Sequence, residues 1–167
     1  MRWNHTHERH GRSGPGAADR QTTHHLAQSG VGHSLGGLAL ALFLENQHHS
    51  RMTRLVLIAP AVETTFAVNN FARLLQLSAE VVRQMDDYVQ ETSGHPFEWY
   101  SLRRALQHIT ATVLYLQDEG DKVTPMEDAL RVKADGHPNV RFVFTKELGH
   151  RRIYKDTTVK NRIIAFC

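Results

Sequence analysis

The sequence predicts an α/β protein with a mostly parallel sheet of about four strands and flanking helices. Residues 54–60 and 112–116 are short, continuous apolar runs, which is typical of strands buried on both faces of a sheet. Segments with helical spacing of apolar residues separate these runs, and alternation of strand and helix is the pattern of parallel sheets with crossover helices. The 167 residues are enough for one domain with a core of its own.

The chain divides into a polar N-terminal segment and a core. Residues 1–28 are rich in His, Arg and Gly, and their apolar residues recur with neither helical nor strand spacing, so we expect them to be poorly ordered. The core is expected over residues 29–167. A weak strand over residues 24–31, interrupted by polar residues and glycine, is expected to lead into it.

The remaining elements follow in order along the chain. Strands are predicted at residues 54–60, 112–116 and 140–144. Helices are predicted at residues 35–48, 66–75, 79–92, 97–108, 125–134 and 155–166. Pro60 ends the first of these strands, and Pro125 is expected at a favoured position in the first turn of its helix.

Composition excludes several classes of protein. The formal net charge is +3, and the Lys and Arg residues are scattered, so we expect no nucleic-acid binding. Cys167 is the single cysteine, so a disulfide scaffold is excluded. We see neither the apolar core of a signal peptide near the start nor a run of about 18 apolar residues, and we expect a cytoplasmic protein without a membrane span.

The most informative stretch is GHSLGG at residues 32–37. It fits Gly-x-Ser-x-Gly, the nucleophile elbow, in which a strand turns so sharply into a helix that the serine is strained and its hydroxyl projects. We expect the glycines two residues either side of Ser34 to be required, because a side chain there would collide with neighbouring backbone. The alternative is that Ser34 simply caps a glycine-rich helix.

Two further polar candidates follow predicted strands. Asp121 lies in the acidic loop after strand 112–116, and His150 lies just past strand 140–144. In open α/β sheets, reactive groups gather at the carboxyl ends of the strands. Taken alone, Asp121 is better explained as a turn residue and His150 as a solvated loop histidine. The order Ser, Asp, His, each after its own strand, is that of the α/β-hydrolase triad and favours the catalytic interpretation.

From about Val31 to the C-terminus, the chain resembles the C-terminal part of an α/β-hydrolase of the carboxylesterase or lipase-like type. The matching pieces are residues 32–37, 57–60, 118–125 and 148–152. The resemblance implies Ser34 as nucleophile, His150 as general base and Asp121, rather than Asp118, as its partner. It also implies the backbone N–H of Leu35 as an oxyanion donor.

The resemblance further implies a helical cap over residues 61–110 above an acyl pocket. The predicted substrate-binding residues are His33, Phe66, Phe71 and Trp99. For the three cap aromatics, ordinary helix packing is an equally good explanation. The resemblance implies a small-molecule ester as substrate, and no cofactor or metal.

The sequence departs from the family pattern upstream of Ser34. The family's second oxyanion donor follows an earlier strand, whereas residues 10–13 resemble the Gly-His-Gly-Arg-Ser loop of the next strand, with Arg9 in place of the first glycine. The family's first strands would then be absent, leaving an open sheet edge that favours self-association. Losing one donor costs about 10²–10³ in turnover. We therefore expect a truncated hydrolase of low or no activity, unless the N-terminal segment supplies a substitute.

Two other functions stay open. A non-catalytic, hydrolase-like interaction protein would use the open edge or the cap to bind a partner. A metal-binding module would use the N-terminal histidines, because imidazole is a common zinc or nickel ligand. These are His5, His7, His10, His24 and His25. No cysteine or carboxylate spacing accompanies them, so a solvated tail explains them better.

Overall fold

A computed structural model describes residues 29–51 and 53–167, which form one four-stranded parallel sheet with helices on both faces. The strands are β1 (Ser29–His33), β2 (Arg54–Ile58), β3 (Thr112–Asp118) and β4 (Val140–Thr145), and they lie side by side in chain order. The α-helices are α1 (Leu35–Glu45), α2 (Thr64–Leu74), α3 (Ala79–Ser93), α4 (Leu102–Leu106), α5 (Met126–Ala134), α6 (Gly149–Arg152) and α7 (Thr157–Phe166). Phe97–Trp99 and Ile153–Lys155 form short 3₁₀ helices. The predicted α/β class and parallel sheet are confirmed.

The register aligns the carboxyl ends of the strands at one edge of the sheet. His33 at the end of β1 pairs with Ile58, Ile58 pairs with Leu116, and Leu116 pairs with Val143. The loops that follow neighbouring strands therefore begin close to one another at this edge. That alignment positions the segments carrying Ser34, Asp121 and His150.

The two central strands explain the apolar runs in the sequence. The residues of β2 from Leu55 to Ile58 are at most 3% exposed, because helices cover both faces of the sheet. On one face, Leu38 of α1 and Leu106 of α4 pack against the sheet, together with Ala129 of α5. On the other face, Val159 of α7 does the same.

The predicted helices differ from the observed ones at their ends, and the first of them stops at Glu45 rather than at residue 48. Two of the differences have a clear local cause. The helix predicted over residues 97–108 is broken, because Ser101 is extended, bridges to Glu63 and caps α4 by accepting a hydrogen bond from the backbone N–H of Arg104. The helix predicted from residue 155 begins at Thr157, because the Asp156 carboxylate accepts from the Val159 N–H and caps it there.

Two smaller predictions concern element starts. Pro125 is the N-cap of α5 rather than a first-turn residue. Of the strand predicted at residues 24–31, the part before Ser29 lies outside the described residues, and β1 continues to His33. The predicted disorder of residues 1–28 also lies outside them.

The segment predicted as a cap contains three helices that pack differently. In the described part of the chain, α2 buries only Ala72 and α3 buries no residue, whereas α4 buries Leu102, Ala105 and Leu106 in the core. Residues 64–93 therefore stand outside the main core. None of the described helices has the length and apolar character needed to cross a membrane.

Candidate active site

Ser34 lies at the sharp turn between β1 and α1. Its backbone has φ 55° and ψ −127°, an uncommon conformation for a residue with a side chain. Its N–H donates to the Ile58 carbonyl at 3.0 Å, and its carbonyl accepts from the Gly37 N–H at 3.0 Å. Every residue of α1 is described, and the Ser34 hydroxyl makes no capping hydrogen bond to any of them. Interpreting Ser34 as a simple helix cap is therefore wrong.

The glycines around Ser34 have unequal roles. A Cβ on Gly32 would lie 2.7 Å from both the Gly36 oxygen and the Gly37 Cα, so this position excludes any side chain. A Cβ on Gly37 would lie 3.0 Å from the Pro60 Cβ. At Gly36, no described atom comes within 4 Å of the same position, because that residue is exposed on the first turn of α1. The expected collision is confirmed for Gly32 and wrong for Gly36.

The side chains of Ser34, His150 and Asp121 form one hydrogen-bonded chain. The His150 Nε2 lies 3.0 Å from the Ser34 Oγ, and the His150 Nδ1 lies 2.8 Å from the Asp121 Oδ2. The His150 side chain is 11% exposed and that of Asp121 is fully buried. His150 is therefore not the solvated loop histidine of the alternative interpretation.

The Asp121 carboxylate is held by its own loop as well as by His150. Its Oδ1 accepts from the backbone N–H groups of Val123 at 2.8 Å and Thr124 at 3.0 Å. Burial acts to raise the pKa of Asp121, but hydrogen bonds from His150, Thr124 and Val123 outweigh it and hold the pKa below its usual value. The carboxylate is thus both a turn residue and the charged partner of His150.

Thr124 belongs to the same network, and sequence reasoning missed it. Its hydroxyl lies 2.9 Å from the Asp121 Oδ2, 3.3 Å from the His150 Nδ1 and 3.3 Å from the Ala59 carbonyl oxygen. A hydroxyl three residues after an aspartate in a turn is a signal that could have found it, since such side chains often bond locally.

His33, predicted to bind substrate, contacts the segment that carries His150. Its Nε2 lies 3.0 Å from the His150 carbonyl oxygen, and its ring lies 4.6 Å from the His150 ring and 4.7 Å from that of Tyr154. Burial lowers the pKa of His33, which favours a neutral ring that donates to the carbonyl. Its substrate role stays a prediction.

The three cap aromatics do not share one environment. Phe66 and Phe71, on α2, are 39% and 48% exposed. Trp99 stacks on His95 at 4.0 Å, and the Arg104 guanidinium lies 3.7 Å from its ring centre. These contacts fit the helix-packing explanation for Trp99. A pocket-lining role for any of the three stays a prediction.

Of the predicted oxyanion site, the structure describes only the part next to Ser34. Leu35 is the first residue of α1, so its N–H has no partner within the helix. The loop at residues 10–13 and the N-terminal histidines lie outside the described residues. Within residues 29–51 and 53–167, no group of three or more His, Cys, Asp or Glu side chains is arranged to hold a metal ion.

Solved structures similar to this chain have the α/β-hydrolase fold, and so has this chain. An esterase from Pyrococcus furiosus matches with a TM-score of 0.57 and 15% identity over 83% of this chain and 52% of its own. The esterase domain of a Rhodothermus marinus protein matches with a TM-score of 0.55 and 16% identity over 83% of this chain and 57% of its own.

A third similar structure comes from a different class of enzyme. It is a puromycin-hydrolysing peptidase from Mycobacterium tuberculosis, with a TM-score of 0.55 and 14% identity over 83% of this chain and 21% of its own. This chain thus spans about half the length of the two esterase chains. No family model matches the sequence, and no curated protein matches it. The likeness therefore defines the fold and leaves the activity to the site.

Proposed function

We propose that this protein is a serine hydrolase that cleaves small carboxylic esters through a covalent acyl-enzyme. The hydrogen-bonded chain from Ser34 through His150 to Asp121 carries the proposal, with distances of 3.0 and 2.8 Å. Distances in this range are those at which a general base activates a hydroxyl and an acid orients the base. The strained backbone of Ser34 supports the same role.

The acylation step follows from these contacts. The Ser34 oxygen attacks the ester carbonyl while the His150 Nε2 takes its proton, and the buried Asp121 carboxylate stabilises the imidazolium that forms. The low pKa of Asp121 keeps that carboxylate charged at neutral pH. The imidazolium then returns the proton to the leaving alcohol, and the acyl group remains on Ser34.

The oxyanion of the tetrahedral intermediate needs fixed N–H donors. The backbone N–H of Leu35, at the start of α1, is the proposed first donor, and the helix dipole adds positive potential there. Water then attacks the acyl-enzyme with His150 again acting as base. If no second donor exists, turnover is expected to be about 10²–10³ below that of a complete site.

A fluorophosphonate probe tests this proposal directly, because it labels only an activated serine. We expect labelling of the wild-type protein and turnover of p-nitrophenyl acetate and butyrate, both abolished in Ser34→Ala. The matched control is Ser78→Ala, which removes an exposed serine at the start of α3 and should change neither. Equal rates for wild type and Ser34→Ala would refute serine catalysis.

A second candidate is a non-catalytic interaction protein with the same fold. The observation that favours it is β1, which pairs only with β2 in the described sheet and exposes 52% of Val31. An uncovered strand edge offers main-chain groups to a partner. A folded wild-type protein that stays unlabelled by the probe would favour this function over the hydrolase.

A further inference from the structure

Asp118 is a second buried carboxylate close to the triad, at the last position of β3. It is fully buried, and both its oxygens accept hydrogen bonds. The Oδ1 accepts from the N–H groups of Gly149 at 2.9 Å and Gly120 at 3.0 Å. The Oδ2 accepts from the Thr145 hydroxyl at 2.8 Å and the Leu148 N–H at 3.1 Å. A carboxylate this well satisfied fixes the groups around it.

These contacts join the two loops that carry Asp121 and His150. Gly120 directly precedes Asp121, while Leu148 and Gly149 directly precede His150. The contacts to Asp121 and Ser34 hold the two ring nitrogens of His150, but neither contact holds its main chain. Asp118 holds the backbone from which that imidazole extends.

The turn held by Asp118 has an unfavourable backbone. Glu147, a residue with a side chain, has φ 63°, and Gly149 has φ 59°. Non-glycine residues in this region persist only when the surrounding structure holds them there. The two N–H groups bonded to Asp118 follow Glu147 directly, so the carboxylate opposes relaxation of the turn.

The charge of Asp118 suits this task. Burial acts to raise its pKa, but the hydrogen bonds from Gly149, Thr145, Leu148 and Gly120 outweigh it, so the pKa lies below its usual value. An ionised carboxylate only accepts hydrogen bonds, whereas an asparagine would place an N–H beside one of the backbone donors. Asp118→Asn therefore removes an acceptor with almost no change in volume.

We propose that Asp118 is a positioning residue, which sets the place of His150 relative to Ser34 by holding the N–H groups of Leu148 and Gly149. This inference rests on the proposed hydrolase function. It assigns Asp118 no contact with substrate and no proton transfer. Its effect is geometric, and a displacement of about 1 Å in a catalytic group can cost about 10²-fold in rate.

Steady-state kinetics of Asp118→Asn form the first test. We expect kcat to fall about 10- to 100-fold with KM almost unchanged, because substrate binding is not altered. The matched control is Asp128→Asn, which alters a carboxylate that is 5% exposed on α5 and bonded to Arg131. It should leave kcat unchanged, so the general effect of neutralising a buried carboxylate is separated from positioning.

A second readout does not depend on turnover. We expect the proton between the His150 Nδ1 and the Asp121 carboxylate to be deshielded by this short contact and to give a far-downfield proton NMR signal, absent in Asp121→Asn. We expect this signal to shift or broaden in Asp118→Asn and to stay in place in Asp128→Asn. If Asp118→Asn does not fold, Thr145→Val, which removes one hydrogen bond to Asp118, carries the same test with a smaller effect.

The outcomes separate the two proposals. An unlabelled, inactive wild type whose signal still moves in Asp118→Asn would refute the hydrolase function and keep the positioning of His150. An active wild type whose kcat and NMR signal are both unchanged in the folded Asp118→Asn variant, or in Thr145→Val where that variant replaces it, would overturn the role of Asp118.

Discussion

The proposed nucleophile, Ser34, and its two partners, Asp121 and His150, are held in place by different contacts. Ser34 follows β1, an edge strand of the described sheet, and is positioned by the main chain, through its N–H bond to Ile58 and the tight approach of Gly32 to α1. Asp121 and His150 follow β3 and β4, and the loops that carry them are held by hydrogen bonds to the buried carboxylates of Asp118 and Asp121. We therefore expect the turn at Ser34 to be disrupted by added atoms. We expect the region around Asp121 and His150, called the acid–base side below, to be disrupted by the loss of hydrogen-bond acceptors and by low pH.

The largest effect is expected from Asp121→Asn, which breaks the acid–base side at its centre. The amide no longer stabilises the imidazolium or its tautomer, so ester turnover should fall about 10⁴-fold. The measurement is kcat for p-nitrophenyl butyrate. The control is Glu119→Gln on the same loop, a partly exposed residue paired with Lys146, which should retain wild-type turnover. Similar losses in both variants would contradict a specific role for Asp121.

Added atoms at the elbow should have the next largest effect. Gly32→Ala inserts a methyl group 2.7 Å from backbone atoms and should lower the free energy of unfolding by about 1–3 kcal/mol. Gly36→Ala enters open space in a helix and should be neutral or stabilise by up to about 1 kcal/mol. Urea unfolding of both variants measures this difference. Equal destabilisation would show that the elbow does not depend on close packing at Gly32.

Low pH should reduce the contribution of Asp118 and Asp121 to the free energy of unfolding. The folded-state pKa values of Asp118 and Asp121 lie below the value of about 3.9 for an unfolded chain. The two groups therefore contribute stability above that pH, which is lost as the pH falls from about 3.9 through their folded pKa values. Urea unfolding from neutral to acid pH should show a smaller loss in Asp118→Asn than in wild type. Parallel losses would contradict this linkage.

The smallest effect on stability concerns the edge of β1 that has no neighbouring strand among the described residues, where we propose self-association. Val31→Lys adds a charge to the exposed edge, so it should shift the protein towards monomer while changing the free energy of unfolding by only about 0.5 kcal/mol. Analytical ultracentrifugation of both proteins measures the shift. Leu74→Lys, at a residue 78% exposed on α2, should leave association unchanged. A wild type that is monomeric at all concentrations would refute the proposal.

Local patterns in the sequence determined the sheet and the elbow. A strand covered on both faces must be apolar along its whole length, so residues 54–60 and 112–116 predict β2 and β3 without knowledge of their neighbours. The turn at Ser34 requires a residue without a side chain at position 32, so GHSLGG predicts the geometry of the turn. Ser34, Asp121 and His150 each follow a predicted strand, and this predicts that they share one sheet edge, because parallel strands all end on the same side.

Contacts between distant residues decided the rest. The helix predicted at residues 97–108 is broken because Ser101 pairs with Glu63, a contact that helical periodicity cannot reveal. Gly37 is crowded by Pro60, whereas Gly36 is free, and only the packing of α1 against the end of β2 distinguishes them. In the sequence, Asp118 is only a second acidic residue close to Asp121, and no pattern assigns it a role. Its bonds to Leu148 and Gly149 exist only because β3 and β4 lie side by side, which brings the ends of their loops together.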